Sequence, residues 1–593
     1  MKKFSSFSFI FPPPHHPLPN STYADYPKSF SKKRPKYLRT LEIYNTQYSA
    51  NRQAPRNLKH LKYLVYLKST FNKAFKGNIG KVLLPCMKTV QHVEVMSTFY
   101  SIKTLILANR YFSELKSYRL QLTSAEVLES FKTLRKTKIL RISFQKRMSR
   151  MGQATEQKSE INKICEEGEY LRRIGMKTLV LDVPNTIPSE MMEIAKLIPR
   201  SANVYFELVG LRKEGKINEE QAKLAEKVQG IKLKHLWNES IESMSQSVDF
   251  LKNLTHLHLG KDYAPGGRDD DLFLLDRETN LSLFSKLRDL QRLKSLKVNM
   301  RLTGYYARRN EAFEFLDVLN FPAGLEVLSL GFENIDPTGR QAFMGRDFAK
   351  VFEQIGNLKE LRALRLSFYI HPFCQRFWKD FVSLFPRGLP KLEILSTEVR
   401  RFDKTYNIYP DRVFEWVHSH PMLRNVRLDI PLLSCFEMDN KKMLDFKIKS
   451  LENLSVNIAR EKMEQREAFD DLIKFWTEHE GLKCLALRIT RYFNLAETFE
   501  ILNKYLSALE NLEDLKLEFE IHYEMDLEQL ACLKPLMKKF RSFSLGMEIR
   551  NVMSSNPYYR ALKKVFADEI KNKKKGLEIT LNRQSILSFN FIF

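Results

Sequence analysis

The chain has 593 residues, 43% of them hydrophobic and 28% charged, with 97 Lys+Arg against 70 Asp+Glu. With 21 glycines and 23 prolines it is neither collagen-like nor low-complexity throughout, and no apolar run reaches the length of a spanning helix. The formal charge of +27 is unevenly placed: residues 1–150 hold 29 Lys+Arg and 6 Asp+Glu, residues 151–550 hold 60 and 61, and residues 551–593 hold 8 and 3. A neutral body with a basic first quarter is expected, and residues 1–150 are where nucleic acid could be held.

The opening MKKFSSFSFIFPPPHH imitates a signal peptide, but its apolar stretch is short, broken by serines and stopped by prolines. Secretion is therefore not expected, and Asn20-Ser21-Thr22 reads as an unused sequon. Residues 1–36, rich in Pro, Ser and Lys, read as a disordered basic tail. The runs KSFSKKRPK (28–36) and KNKKKG (571–576) have the form of nuclear-import signals, though such runs are more often solvated tails.

Over residues 37–250 an apolar-x-x-apolar-x-apolar pattern recurs weakly, at 37–43, 61–66, 90–95, 102–107, 137–142, 176–181 and 233–238. These segments read as divergent repeats or as a separate basic α/β capping region. If residues 37–150 are a separate module, the polar helical stretch 151–172 joins it to the rest.

From residue 251 to 550 the pattern is regular: LTHLHL (254–259), LKSLKV (293–298), LEVLSL (325–330), LRALRL (361–366), LEILST (392–397), LRNVRL (423–428), LENLSV (451–456), LKCLAL (482–487), LEDLKL (512–517) and FRSFSL (540–545). Alternation at the last three positions is the period-two signature of a short strand with one buried face. Helical spacing lies between, as in Phe348-Val351-Phe352-Ile355, Phe377-Phe381-Leu384 and Leu472-Phe475-Trp476. Strand, turn, helix and turn in about 30 residues is a right-handed crossover that lays successive strands parallel and adjacent. Residues 551–593 read as a C-terminal cap and basic tail.

Those ten motifs resemble the leucine-rich-repeat superfamily, most closely its longer ribonuclease-inhibitor-like repeats. The resemblance implies an α/β solenoid with a curved parallel sheet on the concave side and helices on the convex side. The family's usual Asn, five residues after the second Leu, is absent; Asp262, Arg301, Glu333, Tyr369 and Arg400 stand there in the first copies. Irregular turns and uneven curvature are expected. The family also implies a protein-binding scaffold without enzymatic activity. Its members often follow an F-box, so a substrate-receptor role in a ubiquitin ligase is the alternative, although the first 60 residues show no convincing three-helix F-box.

No phosphate-binding loop, zinc-protease, hydrolase or kinase signature occurs, and neither cofactor nor metal is expected. Cys86, Cys165, Cys374, Cys435, Cys484 and Cys532 are widely spaced, as incidental thiols in a reducing cytoplasmic or nuclear setting are. His15-His16, His256-x-His258 and His418-x-His420 lack completing ligands and read as solvent-facing. GNIG (77–80) between Lys76 and Lys81 has the G-x-x-G form of an RNA clamp but reads as a glycine turn. Arg268-Asp269-Asp270-Asp271 reads as an insertion loop, since consecutive carboxylates cannot converge on calcium.

One position of each motif points outward onto the concave surface: His258, Lys297, Ser329, Arg365, Ser396, Arg427, Ser455, Ala486, Lys516 and Ser544. With Arg488, Asn425, Asp429, Asn453, Asn457, Asp514 and Glu518 beside them, they form a polar strip suited to an acidic or phosphorylated protein segment. The ends match as SFSFIF (6–11) and SFNFIF (588–593); opposite ends of a solenoid would pair only between molecules, and the match reads as chance similarity in a Phe-rich chain.

Overall fold

The computed structural model describes residues 6–9, 40–43, 66–70, 90–96, 114–122, 136–144, 176–186, 191, 202–211, 223, 225–234, 238–260, 277–302, 319–334, 348–369, 388–400, 415–429, 448–459, 466–490, 495–521, 527–549, 565, 577–583 and 588–592. The chain divides into two compact units, Met1–Tyr263 and Ala264–Phe593.

In the first unit the strands are β1 (Ser6–Phe9), β2 (Thr40–Ile43), β3 (Tyr66–Thr70), β4 (His92–Met96), β5 (Ser117–Leu122), β6 (Ile139–Phe144), β7 (Thr178–Thr186), β8 (Asn203–Leu211), β9 (Val228–Leu233) and β10 (His256–Leu259). Each pairs in parallel with the next in chain order. Helix α1 (Asn238–Val248) precedes β10.

The second unit repeats the plan with β11 (Ser295–Leu302), β12 (Val327–Asn334), β13 (Ala363–Tyr369), β14 (Ile394–Arg400), β15 (Asn425–Asp429), β16 (Asn453–Ala459), β17 (Cys484–Thr490), β18 (Asp514–Ile521), β19 (Ser542–Ile549) and β20 (Leu577–Arg583). These too are parallel neighbours in sequence order, and β21 (Ser588–Ile592) closes the series antiparallel to β20. Between strands lie α2 (Arg277–Lys286), α3 (Ala349–Gly356), α4 (Arg466–Thr477), α5 (Leu495–Leu506) and α6 (Lys534–Lys539). Parallel strands in strict chain order, with helices in several of the described connections, make an α/β repeat solenoid.

Each of the ten regular motifs begins its strand at the third position, from His256 in the first to Ser542 in the last. A turn fixes that start. The first leucine's N–H donates to the carbonyl three residues back, as Leu254 to Leu251 (2.9 Å), Leu293 to Leu290 (2.9 Å) and Leu482 to His479 (3.0 Å). The second position's carbonyl then accepts two N–H groups from the following repeat: Glu326 and Val327 both donate to Lys294, and Arg362 and Ala363 both donate to Glu326. From there the residues alternate, and the second and third apolar positions, such as Leu296 and Val298, are fully buried.

Strands β11 to β14 run on through Arg301, Glu333, Tyr369 and Arg400, so those backbone groups enter the ladder.

Upstream, the motif segments 37–43, 90–95, 137–142 and 176–181 carry β2, β4, β6 and β7, while 102–107, most of 61–66 and the Phe377-Phe381-Leu384 segment lie outside the described residues. One reading is corrected: the strand expected at 233–238 is β9, which ends at Leu233; its Gln229-Gly230 interrupts the apolar alternation and conceals it. The two matching ends each hold a strand: Ser6–Phe9 pairs with β2, and Ser588–Ile592 pairs with β20. Among the described residues no helix is long and apolar enough to cross a membrane.

Candidate functional site

Strand register in the second unit places Lys297, Ser329, Arg365, Ser396, Arg427, Ser455, Ala486, Lys516 and Ser544 in one continuous row. A second row, two residues earlier, runs through Ile394, Asn425, Asn453, Cys484, Asp514 and Ser542. Between β14 and β19 the two rows line a groove of about 650 Å³. Ser396, Arg427, Ser455, Lys516 and Ser544 lie in it; Lys297, Ser329 and Arg365 continue the row beyond it, Arg488 stands one row further on, and His258 belongs to β10 of the first unit. Ile394, Cys484 and Ser542 were not anticipated, although each holds the third motif position, which the period of two also turns outward.

The cations of the row have carboxylates beside them. Arg365 Nη2 is 3.1 Å from Glu398 Oε2, Arg427 Nη2 is 3.6 Å from Asp429 Oδ2 and Lys516 Nζ is 2.6 Å from Glu518 Oε1. All three cationic side chains are about half exposed, so these pairs are worth about 0–1 kcal/mol each and leave donors open, those of Arg427 and Lys516 at the groove. Asn453 donates to Asn425 Oδ1, and Asn457 donates to Asp429 Oδ1 at 3.0 Å. The Cys484 thiol donates to Asp514 Oδ2 at 3.4 Å; burial, then that hydrogen bond, pushes its pKa up. A protonated thiol is a weak nucleophile, so Cys484 contributes packing and a hydrogen bond here.

A further row escaped sequence reading altogether. At the second motif position stand Lys294, Glu326, Arg362, Glu393, Arg424, Glu452, Lys483, Glu513 and Arg541, alternating in sign through nine successive copies. Adjacent members form ion pairs: Lys294–Glu326 at 2.8 Å, Arg362–Glu393 at 3.6 Å, Lys483–Glu452 at 3.1 Å and Arg541–Glu513 at 3.0 Å. The hydrogen bond from Lys294 is the main influence holding the Glu326 carboxyl below its usual range. Reading each motif position down the repeats exposes this pattern; reading along the chain hides it. Glu326→Lys would set three cations side by side and is expected to cost about 0.5–1 kcal/mol, with the deficit shrinking in high salt. Urea titrations at 50 mM and 1 M salt measure it, and a salt-independent deficit would rule out the electrostatic origin.

The histidine pairs divide. His256 is exposed, 2.8 Å from Thr255 Oγ1 and edge-on to Tyr205 at 5.6 Å, and His418 is exposed. His258 is half-buried, while His420 is fully buried, contrary to the solvent-facing expectation. It occupies the turn position filled by leucine in other copies, such as Leu358 and Leu389, and packing there outweighs polarity. Among the described residues no group of three or more His, Cys, Asp or Glu could hold a metal ion. His15-His16, GNIG (77–80), Arg268–Asp271 and the basic runs 28–36 and 571–576 lie outside the described residues.

No family model matches the chain, and no curated protein matches it. A solved crystal structure of the Rad7 and Elc1 complex in yeast is similar with a TM-score of 0.35 and 13% identity, covering 77% of this chain and 87% of that chain.

Proposed function

We propose that the chain is a non-enzymatic, cytoplasmic interaction scaffold of ribonuclease-inhibitor-like repeats that binds a protein partner on the open face of its second unit. Residues 37–250 are, in this reading, divergent copies of the same repeat, for which the β2–β9 ladder is the support. The observation that carries the binding site is the groove across β14–β19. Its floor is made of small side chains, Ser455 and Ala486, and it is flanked by Arg427 on β15 and Lys516 on β18.

Three strand spacings separate those cations, about 14 Å at roughly 4.8 Å each. An extended peptide rises about 3.3 Å per residue, so acidic groups about four residues apart would reach both ends. The occupant that fits is an extended polar segment with two acidic or phosphorylated residues at that spacing and small residues between them. Arg427 suits carboxylate or phosphate because its planar fork offers paired donors, whereas Lys516 acts as a point charge.

Reversing both charges (R427E with K516E) is expected to abolish capture of partners from lysate by the intact chain, while single alanine changes at Lys297 or Ser329 leave it unchanged. Unaltered capture by the double variant would defeat the proposal. Co-purification of a cullin adaptor in the same pull-down would instead favour the substrate-receptor role.

A further inference from the structure

The charge row at the second motif position behaves differently in the first unit. There Lys116 precedes β5, Lys138 precedes β6 and Lys177 precedes β7. Their backbones occupy the same place as the alternating row of the second unit: Lys138 and Ile139 N–H both donate to the Lys116 carbonyl, at 2.8 and 3.0 Å, and Lys177 and Thr178 N–H both donate to the Lys138 carbonyl, at 2.8 and 3.0 Å. Geometry is therefore equivalent and sign is not. Where the second unit sets a carboxylate beside each cation, this one sets three exposed lysines on adjacent strands, about 4.8 Å apart. Among the described residues none of the three has an ion-pair partner. Like charges directly opposite one another destabilise a sheet, so the fold carries a cost at this row that its other unit avoids.

The neighbouring cations are already engaged. Arg119 is 2.9 Å from Glu94, Arg141 is 2.6 Å from Glu207 and Lys136 is 2.7 Å from Glu114. What remains available is a line of point charges, one per strand, directed across the strands. A line of charges, one per strand, matches a linear polyanion whose phosphates repeat along one direction. Lysine, a compact charge on a flexible stem, follows a phosphate backbone without demanding a fixed geometry. The surplus of 29 Lys+Arg over 6 Asp+Glu in residues 1–150 adds attraction at longer range.

We propose that Lys116, Lys138 and Lys177 form a phosphate-binding ridge that holds nucleic acid without regard to base sequence. RNA and DNA share the chemistry recognised, and the experiment separates them.

The intact protein is titrated into a labelled mixed-sequence single-stranded RNA of 20 nucleotides, and separately into a duplex DNA of 20 base pairs, at salt concentrations from 50 to 300 mM. Wild type is compared with K116Q/K138Q/K177Q and with K294Q/K391Q/K483Q, which removes equal charge from ion pairs of the second unit. The ridge variant is expected to bind at least tenfold more weakly at the lowest salt, with a slope of log K on log salt shallower by about 2–3. The control variant should stay within twofold of wild type. Because the ridge changes relieve repulsion, that variant's melting temperature should not fall, so unfolding cannot explain lost binding. Equal losses in both variants, unchanged binding by the ridge variant, or binding of anionic phospholipid vesicles with no binding of either nucleic acid would each overturn the proposal.

Discussion

Phe348→Ala is expected to destabilise the second unit by about 3–5 kcal/mol, the usual cost of deleting a buried aromatic ring. Phe348 is fully buried at the start of α3 and joins two repeats. Its ring meets Phe332 of β12 at 5.1 Å and Phe368 of β13 at 5.4 Å, both edge to face, and stacks on Phe352 of α3 at 5.9 Å. Phe332 and Phe368 are themselves stacked at 5.9 Å. One ring therefore ties a helix to the strands on both sides of it. A repeat array is held by nearest-neighbour interfaces, so the damage should be local: unfolding in urea should broaden, and circular dichroism and tryptophan fluorescence should cease to coincide. Phe348→Leu retains most of the volume and should lose less than half as much. A loss under 1 kcal/mol for the alanine variant would mean that the cluster does not couple the repeats.

The strands of the second unit were legible because their signal is redundant. Buried apolar positions, a turn and an alternation coincide in each copy, and nine copies repeat them. The floor row of the groove followed from the same period of two, and strand register keeps Ser455, Ala486 and Lys516 adjacent. What escaped had one of two causes. Strands β8 and β9 of the first unit carry Asn203-Val204-Tyr205-Phe206 and Gln229-Gly230-Ile231, where aromatic and glycine residues dilute the leucine spacing although burial is maintained. At Gly230 a Cβ would lie 2.2 Å from the Tyr205 ring, so close packing requires a residue that weakens the pattern. The alternating charges of Lys294, Glu326 and Arg362, and the uniform charge of Lys116, Lys138 and Lys177, were hidden for a different reason. They relate residues on successive strands, so a single motif carries no trace of them. Glu398, which reaches Arg365 from the next strand, escaped in the same way, whereas Asp429 and Glu518 lie two residues along the same strands as Arg427 and Lys516 and were legible beside the row.

His420 is expected to make the second unit acid-labile, by roughly 3 kcal/mol on going from pH 7 to pH 4. The imidazole is fully buried, and its Nδ1 accepts the Leu389 backbone N–H at 3.1 Å, with the Trp416 ring edge-on at 6.3 Å. Leu389 holds the corresponding turn position of the preceding repeat, so the bond links neighbouring copies. The neutral ring keeps Nδ1 unprotonated and able to accept this bond, with Nε2 buried and without a hydrogen-bond partner among the described residues; a protonated ring would present Nδ1–H against another N–H. Burial lowers the pKa to about 4 from the ordinary 6.5. Between those values the unfolded chain binds a proton that the folded chain refuses, so stability rises with pH. The contribution is complete above about pH 6.5, declines as pH falls towards 4 and is constant below that; each pKa unit corresponds to about 1.4 kcal/mol. Carboxylates titrate over part of the same range, so the diagnostic quantity is the difference from His420→Gln, whose side-chain oxygen can still accept the Leu389 N–H but does not titrate. That variant should be less stable than wild type at pH 7 and match or exceed it at pH 4. Denaturation curves at pH 7, 6, 5 and 4 decide the matter, because parallel pH profiles for the two proteins would place the acid sensitivity elsewhere.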